Sequence, residues 1–161
     1  MPTAQPMRSG ALAPEATDNF LMPETLHLQI ITPDKRVVRD DVDQVQIPGK
    51  NGYLGILPGH APLITELMIG EISYTKGGTT VYLALSWGFA EVLPDKVTIL
   101  ADTAERAEDI DVARAQEAKT RAEEALRNPA PDLDYAAMNH ALRRAEVRLE
   151  VAARAGHTVA H

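Results

Sequence analysis

The chain has no cysteine. That excludes a disulfide framework and a thiolate metal site, and it fits a reducing compartment. Positive charge is in deficit: 16 Lys and Arg stand against 23 Asp and Glu, for a formal net charge of −7. Phosphate backbones need a basic surface, so nucleic acid is not an expected partner. No long apolar run is present. The longest, 81–93, is broken by Ser86, Gly88 and Glu91 and is too short to span a bilayer. The chain is therefore not expected to cross a membrane by itself, though it can rest on a partner that does. The segment "GKNGYLG" has the glycines of a phosphate loop but lacks the Gly-Lys-Ser/Thr ending, and no helix is expected after it, so it reads as a turn. Residues 1–24 lack the charged-then-apolar order of a signal peptide. With Arg8, Glu15 and Asp18 they also match a transit peptide poorly. Their proline, alanine and small polar residues predict a disordered tail.

What is present is a core of ordinary apolar content in 161 residues, enough for one domain or one domain with an appendage. From Thr25 the texture is that of strands. In "LHLQIITP", Leu26, Leu28 and Ile30 alternate with His27 and Gln29, the period of a half-buried strand. "VDQVQIPG", "EISYT", "TTVYLALSWGFAEVL" and "VTILA" continue the pattern. Between them stand turn signals: Pro33-Asp34, Asn51-Gly52, Gly77-Gly78 and Pro94-Asp95. Turns about every 8–12 residues predict an antiparallel sandwich or barrel.

After Ala101 alanine, glutamate and arginine take over, and the stretch 108–126, "EDIDVARAQEAKTRAEEAL", reads as a helix. "NPAP" at 128–131 breaks it. Asp132 or Asp134 can cap a second helix, and Gly156 can stop it. The short Pro-containing link predicts an antiparallel pair. Both apolar stripes are thin: Val112, Ala115, Ala118, Ala122 and Leu126 in the first, and Leu133, Ala137, Ala141, Leu142, Ala145 and Leu149 in the second. The expected class is α+β, all-β then all-α. It has a disordered tail at 1–24, a β-sandwich at 25–104, an antiparallel two-helix hairpin at 105–155 and a second disordered tail at 156–161.

The segments "GYLGILPGHAPLI" (52–64), "LSWGFAEVLPDKVTILADTAERAEDID" (85–111) and "RAEEAL" (121–126) resemble the epsilon subunit of F-type ATP synthases, in order and over most of the chain. The resemblance implies a β-sandwich followed by a helical hairpin. It implies a non-catalytic place in the central stalk of a proton-translocating ATP synthase. There the sandwich binds the gamma subunit and rests on the ring of c subunits, peripheral to the cytoplasmic face of a bacterial inner membrane. It further implies that the hairpin either folds on the sandwich or extends toward the catalytic alpha and beta subunits, and that extension restrains ATP hydrolysis. One position departs from the family: its Gly-Glu-Leu-Gly loop stands here as Gly52-Tyr53-Leu54-Gly55, which removes a carboxylate from the expected c-ring contact and leaves Tyr53 in its place.

Some members of that family bind ATP on the folded hairpin at a motif of Ile or Leu followed by Asp-x-x-Arg-Ala. Here it reads Ile110-Asp111-Val112-Ala113-Arg114-Ala115. By the same resemblance Glu105, Arg121, Arg144 and Arg148 belong to the site, ATP is a regulatory ligand, and no cofactor is required. Elementary chemistry agrees. Arg114 and Arg121 lie two helical turns apart, roughly 10 Å along one face. Arg144 and Arg148 are like charges at i and i+4, a repulsion of about 0.2–0.5 kcal/mol that an anion would relieve. Guanidinium forks suit phosphate, and Asp111 can accept from an adenine amino group. Without the family, the same charges are ordinary solvated helix surface, with Glu150 and Arg154 an i,i+4 pair. Arg143, Arg144 and Arg148 equally suit an acidic loop of a catalytic subunit.

Other candidates are weaker. His60 in Pro58-Gly59-His60 lacks a partnering acid or nucleophile motif, so it reads as a packing or interface residue, as do Trp87 and Tyr82. His157 and His161 have i,i+4 spacing but no further ligands. No nucleophile and base pair stands out, which argues against a hydrolase. The alternative function is a stand-alone ATP-binding sensor.

Overall fold

A computed structural model of the chain describes Thr3 and residues 23–155. The tails expected at 1–24 and 156–161 lie outside these residues apart from Thr3, Pro23 and Glu24. Eight strands come first: β1 (Leu26–Ile31), β2 (Arg36–Val42), β3 (Gln44–Gly49), β4 (Gly52–Ile56), β5 (Leu63–Leu67), β6 (Gly70–Lys76), β7 (Thr79–Val92) and β8 (Lys96–Arg106). A 3₁₀ turn (Ala107–Asp109) leads into α1 (Val112–Arg127) and α2 (Tyr135–Ala155). The result is a β-sandwich followed by a two-helix hairpin.

The strands hydrogen-bond along the path β2-β1-β8-β7-β5-β3-β4, and β6 bridges β3 and β7. Strict alternation puts Leu26, Leu28 and Ile30 of β1 fully inside. They join Val45, Ile47, Ile56, Leu67, Ile72, Leu83, Leu85, Val97 and Ile99 in one aliphatic core. Each such side chain contributes about 1.5–3 kcal/mol by leaving water, which is why this half of the molecule needs no cross-link.

β7 is 14 residues long and serves two neighbours. Its first half pairs β6 and its second half pairs β5. The strand bends between them, at Trp87 (φ 53°) and Gly88. A Cβ on Gly88 would stand 2.1 Å from the Leu100 carbonyl oxygen, so glycine alone allows β8 to pass this corner. Trp87 holds a left-handed conformation that is costly for a bulky residue.

Two boundaries differ from the sequence reading. The strand texture was expected to stop at Ala101, yet β8 continues to Arg106, because the first half of β7 offers it partners: Ser86 opposite Thr103, Leu85 opposite Ala104, Ala84 opposite Glu105. The first helix was expected from Glu108, yet α1 begins at Val112. Asp111 caps it, accepting from the Arg114 N–H at 3.1 Å. Of the two aspartates proposed for α2, Asp134 does the capping, accepting from the Ala137 N–H at 3.0 Å.

Candidate functional site

The hairpin lies against the sandwich through a small apolar contact. Val147 and Val151 of α2, both fully buried, pack with Ile69, Ala84, Ala107 and Ile110. The ring of Trp87 meets that of His140 edge to face, with centroids 5.0 Å apart. Two forked ion pairs flank this contact. Arg148 Nε donates to Glu105 Oε2 at 2.7 Å and its Nη2 to Oε1 at 3.1 Å. Arg154, expected to pair along its own helix with Glu150, reaches across to Glu71 at 3.1 and 3.5 Å and stacks over Tyr82. Glu150 instead takes Arg143, at 3.5 Å. Neither Val147 nor Val151 belonged to the stripes read from the sequence; of those stripes Ala115, Ala122 and Ala145 are buried, whereas Val112 and Ala137 are exposed and Leu133 precedes α2. The spacing i, i+4 of the two valines was the available signal.

Beside the contact runs a groove of about 490 Å³ between α1, α2 and the sandwich. It is lined by Glu105 from β8, Arg114 and Ala118 from α1, and Ala141, Arg144 and Arg148 from α2. Four of the expected nucleotide residues, Glu105, Arg114, Arg144 and Arg148, therefore meet in one place. The alanines explain why there is room: small residues on both helices leave open the space that larger side chains would fill. The other expected residues lie elsewhere. Ile110 and Ala115 are buried and do not line the groove; Ile110 packs with Val147 and Val151. Asp111 has one carboxylate oxygen engaged as the helix cap. Arg121 lines a separate depression on α1 with Gln116, Glu117, Thr120 and Glu124. The like-charge repulsion expected between Arg144 and Arg148 is already answered on one side, since Glu105 forks onto Arg148.

A second feature is on the sandwich. Phe89 stands directly opposite Leu100, and both are more than half exposed. Ile64 on the neighbouring strand β5 is 74% exposed on the same face, and Ile31 of β1 lies opposite Leu100 on the other side. Four strands thus present Ile31, Leu100, Phe89 and Ile64 on one face, with the carboxylates of Glu66 and Glu91 set among them, and exposed apolar side chains grouped in this way suit an interaction surface. At the loop end, Tyr53 is half exposed, with its hydroxyl accepting from the Glu71 N–H at 3.2 Å. His60 Nδ1 donates to its neighbour's carbonyl, Ala61 C=O, at 2.7 Å. Among the described residues no helix is long and apolar enough to cross a membrane, and no group of His, Cys, Asp and Glu could hold a metal ion.

The arrangement is a β-sandwich with a helical pair docked on it, an apolar face on the sandwich and a groove with cationic side chains between the two parts. The description "ATP synthase, Delta/Epsilon chain, beta-sandwich domain" matches residues 25–107, and "ATP synthase, Delta/Epsilon chain, long alpha-helix domain" matches 108–153. The chain belongs to the ATP synthase delta/epsilon chain family. It is 72% identical over 111 residues to the ATP synthase epsilon chain of Koribacter versatilis (strain Ellin345), covering 69% of this chain and 78% of that one. It is 48% identical over 135 residues to the ATP synthase epsilon chain of Geobacter sulfurreducens, covering 83% and 98%. Among solved structures it shares the fold of a chain in the Euglena gracilis mitochondrial ATP synthase, with a TM-score of 0.64, 21% identity and coverage of 90% and 88%.

Proposed function

We propose that the chain is a rotor subunit of the central stalk of a proton-translocating ATP synthase, which couples and regulates and performs no chemistry itself. The observation that carries the reading is the Phe89–Leu100–Ile64 face on a chain similar over 83% of its length to an epsilon chain. That face takes the gamma subunit, whose burial of it would repay the exposed apolar area. The opposite requirement, contact with the c ring, falls to the loop at Tyr53 and His60, through an aromatic ring where a carboxylate was expected. The complex places the chain at the periphery of a membrane, on the cytoplasmic side in a bacterium.

The hairpin is the regulatory part. Its hold on the sandwich rests on two valines and partly exposed ion pairs, so it can leave at modest cost. Released, it presents Arg143, Arg144 and Arg148 to the catalytic subunits and restrains ATP hydrolysis. Docked, Arg114, Arg144 and Arg148 surround the groove, which takes ATP as a regulatory ligand. A phosphate entering there replaces Glu105 on Arg148. Co-purification tests the first part. The chain should retain the gamma subunit, and Phe89→Glu with Leu100→Glu should lose it while the sandwich stays folded. Equal retention by that variant would move the interface elsewhere, and a free-standing sensor would leave gamma behind altogether.

A further inference from the structure

The groove has a third wall, the turn between β1 and β2. Thr32, Asp34 and Lys35 line the same space as Arg114, Arg144 and Arg148. This turn is tied down. The Thr32 N–H donates to the Lys35 carbonyl at 2.9 Å, the Thr32 hydroxyl donates to the same oxygen at 3.1 Å, and the Lys35 N–H donates back to that hydroxyl at 3.3 Å. Pro33 fixes one more backbone angle. Lys35 is therefore placed before any ligand arrives, and only its side chain has to order.

The charges are also informative. Among the described residues Lys35, Arg114 and Arg144 enter no ion pair, whereas Arg148 is held by Glu105. The groove lining carries four cations, Lys35, Arg114, Arg144 and Arg148, against three carboxylates, Asp34, Asp102 and Glu105, so it is locally positive on a chain of net charge −7. The groove also holds the acceptors Asp34 and Asp102. It therefore suits a ligand with an anionic end and a donor end, as a nucleotide has. An arginine fork grips one phosphate by two parallel hydrogen bonds, while an ammonium on a flexible stem acts as a point charge that can follow a phosphate further out.

We infer that Lys35 binds the outer phosphates of the nucleotide, so that the β1–β2 turn makes the groove selective for polyphosphates over a monophosphate. This rests on the reading of the groove as a nucleotide site. The test is calorimetric titration of the full chain with ATP and AMP, for the wild type, Lys35→Ala, Lys35→Arg and Arg144→Ala. Lys35→Ala should bind ATP about ten-fold more weakly, the loss of one charge-assisted contact, and AMP within about two-fold of the wild type, with Lys35→Arg restoring most of the difference. If Arg144→Ala loses ATP while Lys35→Ala titrates like the wild type, the turn is no part of the site and this inference falls alone. Equal losses for ATP and AMP in Lys35→Ala also overturn it. If the wild type binds no ATP, the nucleotide reading falls with it.

Discussion

Replacing Val147 and Val151 together by alanine should free the hairpin and leave the sandwich intact. Both valines are buried to within 1%, and each loses about two methylene equivalents. At about 0.8 kcal/mol per buried CH₂, plus the cavity left behind, each substitution costs about 1.5–2.5 kcal/mol, and the pair about 3–5 kcal/mol. That shifts the docked-to-released ratio by two to three and a half decades. The helix itself should not suffer, because alanine is a better helix former than valine. The sandwich core of Leu26, Leu28, Ile30 and their neighbours does not include either residue. Trp87 is the sole tryptophan and touches His140 of α2, so its emission reports docking. The expected result is a changed Trp87 signal and fast amide exchange confined to the helices, with the denaturant midpoint of the strands preserved. An unchanged signal would refute the argument that two valines hold the hairpin, and joint collapse of strands and helices would refute the separation into two parts.

Glu105→Gln should raise ATP affinity by about three- to ten-fold while loosening docking by at most about 1 kcal/mol, since the pair it breaks is partly exposed; titration that shows weaker ATP binding would make Glu105 a direct ligand and not a competitor for Arg148. Gly88→Ala should cost the sandwich about 2–4 kcal/mol in chemical denaturation, because its Cβ must displace the β8 backbone; a midpoint like that of the wild type would contradict the tight corner. Asp40 is held below the ordinary carboxylate range by its hydrogen bond from Lys76. Its stabilising share is thus present above the unfolded-state value and lost as pH falls through the lower folded one. Asp40→Asn should flatten that acid limb of the sandwich's stability against pH, and an unaltered limb would show the pair to be idle.

Much of the fold was legible because its signals are local. The alternation in β1 and the Asn51-Gly52 and Gly77-Gly78 turns speak within a few residues, and so do the alanine-rich helices and the break at 128–131. The strands not legible in the sequence are those without clean apolar alternation, even where their pairing is local. β2, "RVVRDDV", carries four charges and buries Val38 and Val42 only because β1 lies beside it. The last residues of β8, through Arg106, are strand because the half of β7 before its corner lies beside them. The groove was half legible. Arg114, Arg144 and Arg148 were found from spacing and resemblance, since residues at i and i+4 share a face whatever the tertiary structure. Lys35 was not, for it lies some 80 residues from Arg114 and reaches the groove through the topology of the sandwich; nor was the Glu71–Arg154 tie, for the same reason. Asp111 shows the reverse failure. A motif residue looked like a free acceptor, and a local demand, the cap of α1, claims one of its oxygens.

Because the chain has no cysteine, two can be introduced and labelled away from the Phe89–Leu100–Ile64 face, at exposed Glu150 on α2 and exposed Thr79 on β7, which line one depression when the hairpin is docked. The distance between the labels in the assembled synthase, with and without millimolar ATP, tests the regulated hairpin most directly. The account predicts one short distance with ATP and a second, longer one without it. A single short distance under both conditions, in a complex whose ATP hydrolysis is nonetheless restrained, would contradict it.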